Sequence, residues 1–299
     1  TGVQTCALPI SARFTAVGGE QAAAWSQLGD PDLAGLVGRA MEANTRVRQA
    51  LARLEMARAG HGAVAAGSLP QGGVGVVRQS GDPAVSPWAG SVDLSWELDV
   101  SGRQARQRQG ARARAEGAQA MLEDVRLAVA AEVARSWFQL QGARDALDLR
   151  KQAVAAQADI VGLTGELVDA GLAAPGDLAR GRAESASDAA ALQQARDRVF
   201  AIEARLAVLL GETPGHWRAP PSSRLLPLQL QAVALPDPAA LLRARPDVRA
   251  AERALAAGAA DARAAGAARF PSLSLTGLLG FVAGDLSALF SSQADTRTQ

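Results

Sequence analysis

Apolar positions recur along this chain in three rhythms, and each predicts a different element. Leu33, Leu36, Val37, Ala40 and Met41 fall at helical spacing. They predict a helix over 32–66, opened by Asp30-Pro31 or Asp32, because proline is tolerated in a first turn and aspartate caps free N–H groups. Pro70 stops it. Two extended segments follow. Val74-Gly75-Val76-Val77 is β-branched and predicts a strand over 74–78. Residues 91–98 alternate strictly, with Val92, Leu94, Trp96 and Leu98 on one face and Ser91, Asp93, Ser95 and Glu97 on the other. Such a strand can separate lipid from water, or lie half-buried in a soluble sheet.

The third rhythm begins after Gly102. Val133, Leu140, Leu147, Val154, Val161 and Val168 stand seven residues apart, and no proline occurs from 102 to 168. A sustained seven-residue repeat predicts a helix packed along a seam, about 100 Å long at ~1.5 Å per residue. Asp169-Ala170-Gly171-Leu172-Ala173-Ala174-Pro175-Gly176-Asp177 breaks it: Gly171 suits a left-handed cap and Pro175 cannot continue the helix. A return helix over 178–210 carries Leu192, Val199 and Leu206 at one seam position, with Ala195, Ile202 and Leu209 three residues after each. The short connection predicts a long antiparallel α-hairpin over 102–210 with a tight tip.

The chain also repeats itself. An offset of 201 residues carries Val47 onto Val248, Arg48 onto Arg249, Leu54 onto Leu255 and Pro70 onto Pro271 without a gap. A period this long is a duplication of one large unit and not a solenoid. The expected fold is therefore mainly α with a few β-strands, built from a duplicated helix-strand-strand-helix unit. Residues 11–215 form the first repeat, 216–238 a proline-rich linker and 239–299 the start of the second.

Composition narrows the chemistry. The net charge is +1, and arginines are interleaved with Asp, Glu and Ala. That pattern reads as solvated helix surface and argues against a nucleic-acid partner. One cysteine, Cys6, and two distant histidines, His61 and His216, give no disulfide and no metal constellation. No catalytic motif, phosphate loop or cofactor fingerprint appears, so no enzyme is expected. Glu166, Asp169 and Asp177 near the tip could pass for paired carboxylates, but capping and surface charge explain them as well. No stretch reaches the ~18 to 20 apolar residues of a spanning helix, so any membrane contact must use strands. The first ten residues, TGVQTCALPI, resemble a translated sequencing adapter joined to a gene fragment. They are read as a non-native leader, with the export signal expected outside this chain.

Six motifs, in order, carry a resemblance. They are Trp25-Ser26-Gln27-Leu28-Gly29-Asp30-Pro31-Asp32-Leu33; Leu94-Ser95-Trp96-Glu97-Leu98-Asp99 with Gly102-Arg103; Ala131-Glu132-Val133-Ala134-Arg135; Ala170-Gly171-Leu172-Ala173; Leu206-Ala207-Val208-Leu209-Leu210-Gly211; and Arg245-Pro246-Asp247-Val248-Arg249, leading to Phe270-Pro271-Ser272-Leu273-Ser274-Leu275-Thr276-Gly277. Over residues 20–290 the chain resembles TolC-like outer-membrane factors of the NodT type. The resemblance implies a homotrimeric channel-tunnel: a β-barrel in outer-membrane lipid continued by a helical duct through the periplasm. A periplasmic adaptor and an inner-membrane transporter would load it. It implies that Gly171, Leu172, Ala173, Ala174, Pro175, Gly176 and Asp177 dock the adaptor, and that Val92, Leu94, Trp96 and Leu98 belong to a membrane strand. The family includes lipoproteins. The sequence contains no tyrosine, so Trp88, Trp96, Phe281 and Phe290 would have to supply the aromatic girdles of a barrel. A periplasmic adaptor or a coiled-coil scaffold would also carry a long hairpin. The first needs a lipoyl-like domain flanking it, and the second leaves the Trp96 strand unexplained.

Overall fold

A computed structural model describes residues 30–78, 88–220, 237–283 and 295–298. The leader at 1–10, the first five residues of the Trp25 run, most of the 216–238 linker and Phe290 lie outside them. The elements run α1 (Pro31–Ala43), α2 (Thr45–Ala66), β1 (Gln71–Arg78), β2 (Trp88–Leu98), α3 (Arg103–Asp169), α4 (Pro175–Leu209), α5 (Pro238–Ala244), α6 (Pro246–Ala267), β3 (Leu273–Ala283) and β4 (Asp295–Thr298). They fall into two compact units. One holds residues 1–50 and 123–237; the other holds 51–122 and 238–299.

In the first unit α1 buries Leu33, Leu36, Val37 and Ala40, the stripe expected of its amphipathic pattern. Asp30 has two tasks. One carboxylate oxygen caps α1 by accepting from the N–H groups of Asp32 and Leu33, and the other accepts from Trp137 Nε1 at 2.6 Å. Trp137 is fully buried, so its indole N–H needs that partner. Val133 and Leu140 of α3 are buried with it, and further along the seam Leu147, Val154, Val161 and Val168 are half-buried. The seven-residue rhythm thus marks the covered face of α3 over its whole return length.

The helix expected over 32–66 is two helices. The chain turns extended at Asn44 (φ −63°, ψ 129°) and starts again at Thr45. The cause is side-chain competition with the backbone. Asn44 Oδ1 accepts from the N–H of Arg46 at 2.9 Å and of Val47 at 3.4 Å, while its Nδ2 donates to the carbonyl of Leu209 at 2.8 Å. The same joint brings Gly211 (φ 71°) against Ala43, where a Cβ would stand 2.7 Å from the Ala43 carbonyl oxygen. A second anchor is Glu203, buried at the end of α4. It accepts from Arg144 at 2.8 Å and Arg218 at 3.3 Å, and Arg144 also donates to the carbonyls of Ala219 and Pro220. The chain leaving the hairpin is pinned to both of its arms.

In the second unit α6 buries Ala257, Ala260, Ala264 and Ala267, a stripe of small residues that permits close helix packing. At Gly110 of α3 a Cβ would lie 2.9 Å from Asp261 Oδ1 and 3.6 Å from the Ala257 carbonyl oxygen. Ion pairs reinforce this contact: Arg114 with Asp261, and Arg253 with Glu116 at 3.0 Å. The four strands make one antiparallel sheet in the order β1-β2-β3-β4. Two strand starts differ from expectation. β1 begins at Gln71 and not at 74, and β2 begins at Trp88 and not at 91. In each case the added residues are glycine-bearing and carry no clear alternation, so only the ladder with the neighbouring strand reveals them.

The two repeats keep the same bounds. α2 and α6 are both 22 residues long and begin 201 residues apart. Each follows a one-residue break and leads into a strand.

Candidate functional site

The sheet register sorts side chains by chemistry, because directly opposed residues of an antiparallel pair share a face. Val74 opposes Val92, which opposes Leu279; Trp96 opposes Leu275; Leu98 opposes Leu273. Val92, Leu94, Trp96 and Leu98 therefore continue across three strands as one apolar face with Val74, Val76, Leu273, Leu275, Leu279 and Phe281. Most of these side chains are exposed within the chain itself. The opposite face carries Ser91, Asp93, Ser95 and Glu97, with Ser274 and Thr276 beside them and the apolar Val77 and Leu278 on the same side. Strands of 11 residues match the length that crosses a bilayer when tilted.

Both ends of the apolar face carry tryptophan. Trp88 and Trp96 lie eight residues apart on β2, about 26 Å along the strand at ~3.3 Å per residue. Arg78, paired with Trp88 in the ladder, sets its guanidinium 5.6 Å from the Trp88 ring centre. This is the amphipathic pairing found where one end of a side chain is apolar and the other wet. At the other end Trp96 Nε1 donates to the carbonyl of Ser68 at 3.2 Å. Phe281, opposite Gly90, adds a ring to the same face. Of the β3 half of this surface the sequence reading named Phe281 alone, as a girdle residue, and none of the leucines. The Leu-Ser-Leu-Thr alternation of residues 273–276 was a signal that could have found them.

The hairpin tip is built by backbone rules. Gly171 takes φ 73°, its N–H donates to the Val168 carbonyl at 2.9 Å, and the Leu172 N–H reaches back to Leu167 at 2.8 Å. This paired closure ends a helix with a left-handed residue, for which glycine has no steric cost. Leu172 is then 75% exposed, and Gly171, Ala174, Pro175, Gly176 and Asp177 are exposed around it, with Ala173 half-covered. The tip is shorter than expected. α4 starts at Pro175, so Pro175, Gly176 and Asp177 form its first turn and not a loop. Proline suits that position because its missing N–H would have had no partner there. Asp177 stands at the positive end of α4, 3.9 Å from Arg180. Glu166 and Asp169 are exposed beside it.

The described residues hold no group of three or more His, Cys, Asp or Glu able to bind a metal ion. None of the described helices is long and apolar enough to cross a membrane. A polar concavity of about 610 Å³ is lined by Arg58, His61, Arg112, Glu116, Arg249 and Arg253 among others. Its central carboxylate, Glu116, is bound by Arg112 at 2.9 Å and Arg253 at 3.0 Å.

The sequence pattern of one family, described as "Outer membrane efflux protein", matches residues 36–212, more than half of the chain. The chain belongs to that family. The chain is 30% identical over 275 residues to the toluene efflux pump outer membrane protein TtgF of Pseudomonas putida, covering 87% of the chain and 56% of the relative. It is 30% identical over 280 residues to the outer membrane protein OprJ of Pseudomonas aeruginosa, covering 87% and 57%. The solved outer-membrane channel OprN superposes with a TM-score of 0.75 at 35% identity, over 92% of this chain and 64% of that one. The chain thus spans a little over half the length of the curated relatives it matches. The efflux protein's expected fold class, a long α-hairpin with strands of an outer-membrane barrel, is the fold of these neighbours, and its place is the outer membrane.

Proposed function

We propose that this efflux protein forms part of the outer-membrane exit duct of a tripartite pump, a passive conduit for small molecules and not a catalyst. The observation that carries the reading is the sheet. Its apolar face is exposed and bordered by tryptophans, its other face carries the polar side chains, and its last β2 residue is followed within five residues by a 67-residue helix. An apolar face at such strand lengths suits lipid, and the polar face then lines a water-filled interior. The outer edges of β1 and β4 have no further strand among the described residues. A spanning sheet cannot leave edges open in lipid, so we assign them to pairing with neighbouring copies in a homotrimer. The tip, Gly171 to Asp177, is assigned to docking a periplasmic adaptor that is fed by an inner-membrane transporter. Its small residues allow close approach, and Leu172 offers an uncovered apolar contact.

Two measurements test this. Reconstituted in a planar lipid bilayer, the protein is expected to give discrete conductance steps, and a purified protein that inserts but never conducts defeats the duct reading. In an efflux-deficient host, Leu172→Glu with Ala174→Arg is expected to abolish efflux and adaptor cross-linking while leaving trimers intact. Efflux that survives at normal expression removes the tip from the docking surface.

A further inference from the structure

We propose that Asp93 sets the ion preference of the duct, as a carboxylate held on its polar lining. The inference rests on the channel reading above and adds the residue that would discriminate among permeating charges.

The polar face of the described strands β1, β2 and β3 carries two carboxylates, Asp93 and Glu97, and no lysine or arginine, while on β4 the register sets Asp295 opposite Val282 and Arg297 opposite Gly280. The two are not equivalent. Glu97 accepts from Arg103 Nη2 at 2.5 Å, so its charge is balanced where the strand passes into α3. Asp93 lies mid-strand, is exposed, and has no ion-pair partner among the described residues. The backbone around it makes room for it. Its ladder partner on β1 is Gly73, and a Cβ there would stand 2.6 Å and 2.8 Å from the two carboxylate oxygens of Asp93. The carboxylate therefore lies across β1, in space that any other residue at position 73 would fill. Gly75 does the same for Ser91, whose hydroxyl would meet a Cβ at 2.9 Å. On the other side Asp93 faces Leu278, which offers no polar contact.

A charge in this position acts on whatever passes it. Every copy that adds a sheet to a closed barrel adds one Asp93 at the same height, and a ring of like charges in a pore raises the local concentration of counter-ions. The expected preference is for cations over anions.

The test is the reversal potential of the reconstituted protein under a potassium chloride gradient. Asp93→Asn is nearly isosteric and is expected to lower the cation-to-anion permeability ratio by roughly sevenfold for each charge removed, since a unit charge about 7 Å away in water favours a cation and disfavours an anion by about one RT each. Asp93→Glu should keep the preference, and Asp93→Lys should reverse it. Gly73→Ala is expected to push the carboxylate off β1 and alter the ratio without removing charge. A channel that conducts normally with the same reversal potential in wild type, Asp93→Asn and Asp93→Lys overturns the assignment while leaving the duct reading intact. A wild-type protein that inserts without conducting overturns both.

Discussion

Asn44 and Arg245 stand at the same place in the two repeats and solve the same problem with different chemistry. Each interrupts a helix for one residue, with φ and ψ of −63° and 129° at Asn44 and −64° and 125° at Arg245. The backbone bonds around them also correspond. Asn44 N–H donates to Ala40 and Arg245 N–H to Leu241, while the carbonyls of both accept from the residue four further on. The side chains do not correspond. Asn44 is 3% exposed and joins the start of α2 to the end of α4. Arg245 is exposed and pairs in two contacts with Asp247, while Pro246 at the first helical position removes one N–H that would otherwise need a cap. Burial diverges further along the same helices: Leu54 is fully buried, and its repeat counterpart Leu255 is 76% exposed. A duplicated sequence keeps its backbone path, and what each copy packs against decides which side chains matter.

Exchanging the two residues breaks the symmetry in one direction only. Asn44→Ala removes a cap worth about 1 kcal/mol and leaves the buried Leu209 carbonyl without its donor, costing about 1–3 kcal/mol more. Asn44→Arg adds a guanidinium where there is no room, and should be worse. Thermal melts followed at the helical circular-dichroism band should show the midpoint fall in that order. An unchanged midpoint for Asn44→Ala would mean the joint does not hold the first unit together. The reverse change, Arg245→Asn, removes an exposed ion pair of small worth and supplies a side chain that caps well. Its midpoint should match wild type, and a large drop would show that Arg245 does more than stop a helix.

The smallest effect is one of pH. The Asp247 carboxyl is held below its ordinary value, first by the hydrogen bonds from Arg245, with the Val248 N–H adding to this and partial desolvation opposing it. A lowered folded pKa gives stability that is complete above the ordinary value of 3.8 and fades as pH falls through the folded one. Asp247 is exposed and its ion pair is open to solvent, so the dependence should be slight and confined to acid below that value. Asp247→Asn should abolish it, as measured by the acid arm of a stability profile.

Much of this was legible in advance where one rhythm ran long enough to be unambiguous. Val133 through Val168 announced α3, and Gly171 with Pro175 announced its end, because seams and caps are local. The Asn44 break was not legible. Asparagine in a helical pattern is unremarkable until the Leu209 carbonyl, 165 residues away, is brought to its Nδ2. The same holds for Asp93, whose setting depends on Gly73 standing opposite, a matter of register that no window of sequence contains. The early strand starts at Gln71 and Trp88 were hidden for that reason too.

The pairing of β2 with β3 joins Leu98 to Leu273 across the whole hairpin and the chain that follows it. Contacts so distant in sequence form slowly, because loop closure is paid before the ladder rewards it. Helices and a tight turn form fast and locally, and a finished α3–α4 hairpin folds the chain back as far as the middle of α3, where Arg205 meets Glu132, shortening the loop that must close. The apolar face would then be completed last, so that a newly exported chain spends the least time displaying an adhesive surface to water.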